Sequence, residues 1–475
     1  MHKQTKIVCT IGPASEDKET LEKMARAGMN VCRLNFSHGT YEHHKMLIDN
    51  IRAISKELNL PLAIMADLQG PRIRTGILPD EGVPAETGDT IILTTASQEY
   101  NEQKIPVTYN NLHAEVREDD RIFIDDALIE LKVTNIKQQD IHCEIVRPGT
   151  ITTHRGMNFP DSDLTISPIT EKDKKDLAFA VENDLDWIAL SFVSNEKDIH
   201  DLKQLITSAT KSKDQSPTIL TIAKIERKTA VENIEKIISA ADGIMVARGD
   251  LGIELPPADV PLHQKKMVDM CLAAAKPVII ATQMLDSMAR NPRPTRAEVS
   301  DVSNAVIDHT DAVMLSAESA TGKYPLETVQ TMTDIISKTE NSEYDDLVLD
   351  HLIKTLPIDE AVSQVANVLA ASVKAKLILV ASMSGYTARI VCRYRPELPI
   401  YVTTNNERVQ HQLNLSWGVI PFLLPTCNTV EELINSSLDY LKTNDVVKND
   451  DRVIVIAGDP VGRPGVNLVE IREVK

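Results

Sequence analysis

The residues best equipped for chemistry sit at the ends of short apolar runs. In TIAKIER, Lys224 and Glu226 are two apart at the end of a strand-like segment, so strand alternation puts both side chains on one face. If that face turns inward, Lys224 presents an ammonium to an anionic group and Glu226 can hold a divalent cation; a structural ion pair is the alternative. The next run, GIMVARGDLG, ends at Asp250. Two carboxylates from neighbouring strands can hold one Mg²⁺, which takes few protein ligands and completes its shell with water and substrate oxygens. Gly249 removes side-chain bulk beside them, so backbone N–H groups can approach a carboxylate or phosphate. Read alone, RGDLG is equally a helix start with an Asp cap. In VCRLNFSHG, Arg33 emerges at a strand end with the planar fork that grips phosphate. Asn35 and Ser37, with Asp67 from LAIMADL, offer hard oxygen atoms for a monovalent cation or for hydroxyl hydrogen bonds. His38 is as readily structural as functional. Thr282 in IIATQM and the pair Ser316 and Glu318 in MLSAES complete the set, as relays or as caps.

These groups meet only if their strands lie side by side. Eight apolar runs, KIVCTIG, NVCRLNFS, LAIMADL, WIALSF, TILTIAKIE, GIMVARGD, PVIIATQM and AVMLSAES, recur between helical stretches. Near-continuous hydrophobicity of this kind marks parallel strands covered on both faces. Strand and helix repeated in this way predict an α/β fold, a (β/α)8 barrel, with its chemistry at the C-terminal ends of the strands. Helix ends are marked too: an acidic first turn begins at Ser15 and Gly28 stops it, while Thr170 with Asp173 and Thr295 with Glu298 have capping-box spacing. The helical period vanishes over 70–167, where RIFIDDALIELKV and DIHCEIV alternate between turn residues. That stretch predicts a small β-barrel inserted as a lid, splitting the main barrel into 1–69 and 168–340. Residues 341–475, with KLILVASMSGYTARIVCRY, PIYVTT and RVIVIAG, predict an open, doubly wound α/β domain.

A chain of 475 residues is long enough for several such units. No run approaches the eighteen or so apolar residues of a membrane span, and MHKQTKIVCTIG lacks the apolar core of an export signal, so a cytoplasmic protein is expected. Six cysteines (Cys9, Cys32, Cys143, Cys271, Cys392, Cys427) lack metal-binding spacing and read as buried thiols in a reducing compartment. A net charge of −18 argues against nucleic-acid binding. An anionic substrate must then meet a local cationic island, which makes Arg33 and Lys224 conspicuous.

The strings KIVCTIGPAS, CRLNFSHG, IAKIER, MVARGDLGIELP, ATQMLDSM, PTRAEVSDVSNAV and LSAESATGKYP together resemble one family, the pyruvate kinases, along essentially the whole chain. The resemblance implies a barrel, an inserted lid, a C-terminal effector domain and a homotetramer. It implies phosphoenolpyruvate, ADP or ATP, and pyruvate as ligands, with Mg²⁺ or Mn²⁺ as cofactor. Carried over by position, Lys224 stabilises the transferring phosphoryl group and Glu226 and Asp250 hold the metal. Ala247, Arg248, Gly249 and Asp250 form the substrate loop, and Thr282 stands near the carbon that takes a proton. Arg33 and Arg74 hold phosphates of substrate and nucleotide. Thr10, Pro13, Asn35 and His38 line the nucleotide site, joined by Arg155 of RGMNFP, where the family has Lys. Asn35, Ser37 and Asp67 match its monovalent-cation ligands.

Departures from the family pattern carry information. DLQGPRIRTG stands where potassium-requiring members read DTKGPEIRTG, so Arg72 replaces a Glu. A permanent guanidinium then takes the place of a carboxylate with its K⁺, which resembles the potassium-independent branch; an Arg72 facing solvent is the alternative. His309 replaces a residue that favours positive φ. In ASMSGYTAR, the residues Ser382, Ser384, Gly385 and Thr387 resemble a sugar-phosphate effector loop, with Arg463 in a later loop able to close over it. The late segment GDPVGRPGVNLVEI departs from the family, leaving a sugar phosphate and AMP both open as effector. A barrel lyase acting on phosphoenolpyruvate and a catalytically dead paralogue are the rival readings. The first has no need of the lid, and the second none of an intact Lys224, Glu226 and Asp250.

Overall fold

The computed structural model describes residues 3–101, 103–210, 218–345, 356–458 and 466–475. The eight apolar runs form parallel strands: β1 (Lys6–Thr10), β2 (Val31–Asn35), β3 (Ala63–Asp67), β4 (Trp187–Leu190), β5 (Leu220–Ile225), β6 (Gly243–Ala247), β7 (Val278–Ala281) and β8 (Ala312–Leu315). They close in sequence order, with β1 pairing to both β2 and β8. Every position of β1, β3 and β6 is buried, because helices cover one face and packed side chains fill the other. Alternation sorts them: Ile7, Cys9, Ile64 and Ile188 pack toward the helices, while Val8, Val31, Met65, Trp187 and Ile222 fill the interior.

Helix ends follow the local chemistry, with one shift. Asp17, not Ser15, caps the helix Lys18–Ala27, accepting from the Thr20 N–H at 2.9 Å. The Ser15 hydroxyl is taken by the turn after β1, where it accepts from the Gly12 N–H at 3.2 Å. Gly28 ends that helix at φ 120°. Both capping boxes form, at Thr170 with Asp173 and at Thr295 with Glu298.

Between β3 and β4 lies a six-stranded sheet ordered Met157–Asn158, Arg121–Ile124, Ile129–Lys137, Asp140–Arg147, Thr90–Thr94 and Lys104–Pro106, beside a two-stranded ribbon of Val83–Ala85 and Gly149–Ile151. Leu93, Ile105, Leu131 and Ile141 centre its own core. The C-terminal sheet runs Val419–Leu423, Ile400–Thr404, Leu377–Ala381, Arg452–Ala457 and Leu468–Glu473, the first four parallel and the last antiparallel. Apolar cores cover both of its faces, as a doubly wound sheet requires.

The C-terminal unit also reaches into the barrel. After its helix Glu407–Leu413 the chain turns so that Leu415 is wholly buried among the interior side chains at the N-terminal ends of the strands. Asn414 donates to the carbonyls of Asn30 (3.0 Å) and Pro61, just ahead of β2 and β3. Arg395 pairs with Asp311 at 3.0 Å and lies 5.0 Å over the Trp417 ring. Arg52 pairs with Asp186 at 2.9 Å and donates to His411 at 3.0 Å. The barrel thus has a floor built from a segment far away in sequence.

Candidate active site

Each inward ladder runs from apolar at the floor to polar at the rim. Two residues above Val8 stands Thr10; above Val31, Arg33 and then Asn35; above Met65, Asp67; above Ala189, Ser191; above Ile222, Lys224 and then Glu226. The period of two that fills the core therefore also gathers the site.

Its centre is Asp67, 2% exposed. One carboxylate oxygen accepts from Arg33 Nε at 2.6 Å, and the other lies 3.2 Å from Lys224 Nζ. Lys224 also reaches Glu226 Oε1 at 2.8 Å and donates to the Ser191 hydroxyl at 2.7 Å. Ser191 passes its own proton to the Leu68 carbonyl at 2.7 Å. Arg33 Nη1 donates to Thr10 Oγ1 at 2.7 Å, and that hydroxyl donates to the Leu315 carbonyl at 3.0 Å. Burial opposes the Lys224 ammonium, but Asp67 and Glu226 outweigh it and hold its pKa above the ordinary value. Burial likewise opposes the Asp67 carboxylate, but Lys224 and Arg33 hold it below the usual range.

Asp250 lies in the first turn of the helix Arg248–Glu254, which follows β6. It does not cap that helix; the N-cap is Ala247, with no side-chain bond. Burial, then the charge of Glu226, pushes its carboxyl up to about 6, against the pull of Lys224 and Arg72. Arg33 and Lys224 make ion pairs with Asp67 and Glu226, while Asp250 makes none and feels Lys224 and Arg72 only at longer range. An unpaired carboxylate beside Glu226 offers hard oxygen atoms that fit Mg²⁺ or Mn²⁺ held by Glu226 and Asp250. Among the described residues no three His, Cys, Asp or Glu side chains enclose a metal, in keeping with an ion that takes few protein ligands.

Thr282 closes the far side of the rim at φ 71°, a left-handed conformation that a β-branched residue keeps only when its surroundings impose it. Its hydroxyl accepts the Gly249 N–H at 2.8 Å. Arg248, expected in the substrate loop, turns its guanidinium away to Asp301 (2.8 Å) and the Thr282 carbonyl (2.8 Å). It therefore fastens the loop to its neighbours. Glu318 does the same between β7 and β8, accepting from the N–H groups of Ser316 (2.8 Å) and Leu285 (3.2 Å).

A cavity of about 690 Å³ opens between the inserted sheet and the barrel, with Arg72, Asp126, Asn158, Arg227, Asp250 and Glu254 in its wall. Arg72 is exposed but borders this cleft, close enough for its charge to act on Asp250. Asn35 Oδ1 accepts from the Ser37 N–H at 3.1 Å. Pro13 and His38 are exposed, and the His38 N–H donates to the Asn35 carbonyl at 3.2 Å. Arg74 bridges to Gly156 at the lid base. Arg155 is held by Asp125 at 3.2 Å and by the Thr152 hydroxyl at 2.7 Å.

In the C-terminal unit, Ser382 and Thr387 are buried, Ser384 is exposed and Gly385 has φ 77°. Arg463 lies outside the described residues. His309 has φ 62°, the positive value that its position suggested. Ser191 and Arg248's partner Asp301 escaped sequence reasoning. The signal for Ser191 was present, since it continues the inward ladder Trp187, Ala189 in WIALSF.

Comparison with known proteins bears on the family of the fold. The family model for the pyruvate kinase barrel domain matches residues 2–329, and that for the pyruvate kinase alpha/beta domain matches 360–472. Pyruvate kinase of Sporosarcina psychrophila is 42% identical over 474 residues, covering 99% of this chain and 80% of that protein. Pyruvate kinase of Staphylococcus epidermidis is 41% identical over 475 residues, with the same coverage. The crystal structure of a pyruvate kinase from Cryptosporidium parvum superposes with a TM-score of 0.93 at 36% identity, covering 100% of this chain and 97% of that one. With both domains matched and the relatives aligned nearly end to end, the chain belongs to the pyruvate kinases of the bacterial type, and is a phosphotransferase.

Proposed function

We propose that the chain moves the phosphoryl group of phosphoenolpyruvate to ADP, giving pyruvate and ATP, with Lys224, Arg33, Glu226, Asp250 and Thr282 as its working residues. The observation that carries this reading is the buried Arg33–Asp67–Lys224–Glu226 chain of contacts at the barrel mouth. Phosphoryl transfer has a loose, highly charged transition state, so catalysis is mainly positioning and electrostatics. Asp67 sets both cations in place before substrate arrives. Arg33 then grips the donor phosphate, and Lys224, steadied by Ser191, faces the oxygens that gain charge in transit. A divalent cation on Glu226 and Asp250 would supply charge neutralisation at phosphoryl and enolate oxygens. The Gly249 and Asp250 N–H groups lie where a substrate carboxylate can be met, and the Thr282 hydroxyl, already accepting from Gly249, keeps its own proton for the carbon side of the substrate. Closing the lid excludes water that would hydrolyse the donor.

Finer parts of the reading rest on residues described above. Arg74, Arg155, Thr10, Pro13, Asn35 and His38 border the nucleotide. Arg72 at the cleft wall supports turnover without K⁺. Asp67, the acidic member of the monovalent-cation set with Asn35 and Ser37, already has both oxygens beside fixed side-chain cations. The loop 382–387 follows the central strand Leu377–Ala381, where neighbouring connections diverge, a place that suits a phosphorylated effector. A cytoplasmic homotetramer completes the proposal, and six free, buried cysteines suit a reducing compartment. A lactate dehydrogenase-coupled assay with phosphoenolpyruvate, ADP and Mg²⁺ tests the reaction; no NADH loss from folded protein would overturn it. Running it in tetramethylammonium buffer with and without KCl tests the potassium reading, and strong dependence on K⁺ would refute it.

A further inference from the structure

The lid leaves the barrel at Gly70 and returns at Thr170, and one buried carboxylate ties both ends. Asp173 Oδ1 accepts the Gly70 N–H at 3.2 Å, and its Oδ2 accepts from the Thr170 N–H (2.9 Å) and hydroxyl (2.6 Å). Gly70 has φ 67°, and a Cβ placed there would come 2.7 Å from Phe192 Cδ2 and 3.2 Å from Ser191 Cβ. The hinge backbone therefore rests directly on Ser191 and Phe192, with no room for a methyl group.

Both of those residues hold site groups on their other side. The Ser191 hydroxyl accepts from Lys224 at 2.7 Å, and the Phe192 N–H donates to Glu226 Oε2 at 2.7 Å. Phe192 itself sits at φ 58°. For a bulky aromatic residue this is an outlier, kept only where contacts impose it. The contacts are visible: Gly70 on one side of the ring, and the Arg227 guanidinium 5.5 Å over its face, steadied by the Ser194 hydroxyl at 3.3 Å. The residue whose ring meets the hinge glycine is thus the one whose N–H holds the Glu226 carboxylate.

We propose that Phe192 is a positioning residue through which the lid hinge at Gly70 sets the orientation of the Glu226 carboxylate, so that lid position and metal affinity are coupled. The inference rests on the reading that Glu226 holds the divalent cation. Groups that orient a metal ligand typically change affinity by about 10–100-fold when removed.

The test is direct Mn²⁺ titration by electron paramagnetic resonance on the full chain without substrates, with fold checked by circular dichroism. Phe192→Ala is expected to weaken Mn²⁺ binding about tenfold. Gly70→Ala, which leaves Phe192 in place and pushes a methyl group onto its ring, is expected to weaken it in the same direction. In the double variant the methyl group no longer meets a ring, so Gly70→Ala should add little to Phe192→Ala. Mn²⁺ affinity within twofold of wild type in either folded single variant, or two effects that simply multiply, overturns the proposal. Glu226→Gln separates the two readings: if it leaves Mn²⁺ binding intact, the metal assignment is what fails.

Discussion

The two ends of the barrel both bury charge, and they do so to opposite effect. At the floor the buried arginines are matched: Arg395 with Asp311, the His309 carbonyl and the Cys392 carbonyl, and Arg52 with Asp186, His411 and the Leu62 carbonyl. Leu415 seals the space between them. At the rim, strand alternation pairs Asp67 and Glu226 with Arg33 and Lys224, while Asp250, on the helix after β6, makes no ion pair and has its carboxyl pushed up to about 6. Positive φ occurs at both ends, at Thr282 and Phe192 on the rim and at His309 and Arg395 by the floor, so charge pairing is what separates them. A matched buried network stabilises; a buried carboxylate without an ion pair marks a place for a cationic ligand. The difference locates function.

The largest way to break the comparison is at the rim. Lys224→Met should lower turnover per folded molecule about a thousandfold, the scale of a lost electrostatic group, and should also lower thermal stability, because it leaves the buried Asp67 and Glu226 carboxylates without their shared cation. Retention of a tenth of wild-type turnover would remove Lys224 from its role. The floor should answer in stability alone. Leu415→Ala should cost about 2–5 kcal/mol of stability through the cavity it leaves, with turnover per folded molecule nearly unchanged at low temperature. If urea midpoints do not move, Leu415 is not part of the barrel core.

The unpaired Asp250 at the rim gives the next prediction. Because the folded Asp250 carboxyl is raised toward about 6, metal-free protein has the corresponding stability at acid pH and loses it as pH rises through that value. Binding of a cation needs the ionised form, so Mn²⁺ affinity should fall about tenfold per pH unit below about 6. A flat affinity between pH 7 and pH 5 would show that Asp250 does not hold the metal.

Much of this arrangement could be read from the chain because it depends on local periodicity. Continuous apolar runs announce barrel strands, and spacing of two places Lys224 beside Glu226 on the inner face. What escaped reading depends on distance or on backbone conformation. Leu415 enters a core whose first strand begins at Lys6, and no local pattern announces so remote a partner. The positive φ of Phe192 leaves no mark in its residue type, unlike the glycine at 28. Ser15 and Asp17 are both good caps, and only the turn after β1, which takes the Ser15 hydroxyl, decides between them. Arg248 reads as a substrate cation until Asp301, over fifty positions later, is seen to hold it.

Strain sharpens the same comparison at its smallest scale. His309 sits near the floor at φ 62°, and its carbonyl takes two bonds from Arg395, at 3.2 and 2.7 Å. The backbone carbonyl is thus engaged, while the largely buried imidazole lies 3.7 Å from Asp345; burial, then the charge of Arg395, lowers its pKa to about 4. A histidine depressed in the folded state contributes stability that is present above its ordinary pKa near 6.5 and is lost as pH falls toward about 4. Glycine adopts positive φ without a Cβ penalty, so His309→Gly should keep the Arg395 bonds and change stability at pH 7 by about 1 kcal/mol or less. Between pH 7 and pH 5 the variant should lose less stability than wild type in parallel thermal melts, with turnover unaltered throughout. Equal acid losses in the two proteins would mean that His309 takes up its proton as readily in the folded as in the unfolded chain, and a drop in turnover would mean that strain at the floor serves the chemistry as well as strain at the rim.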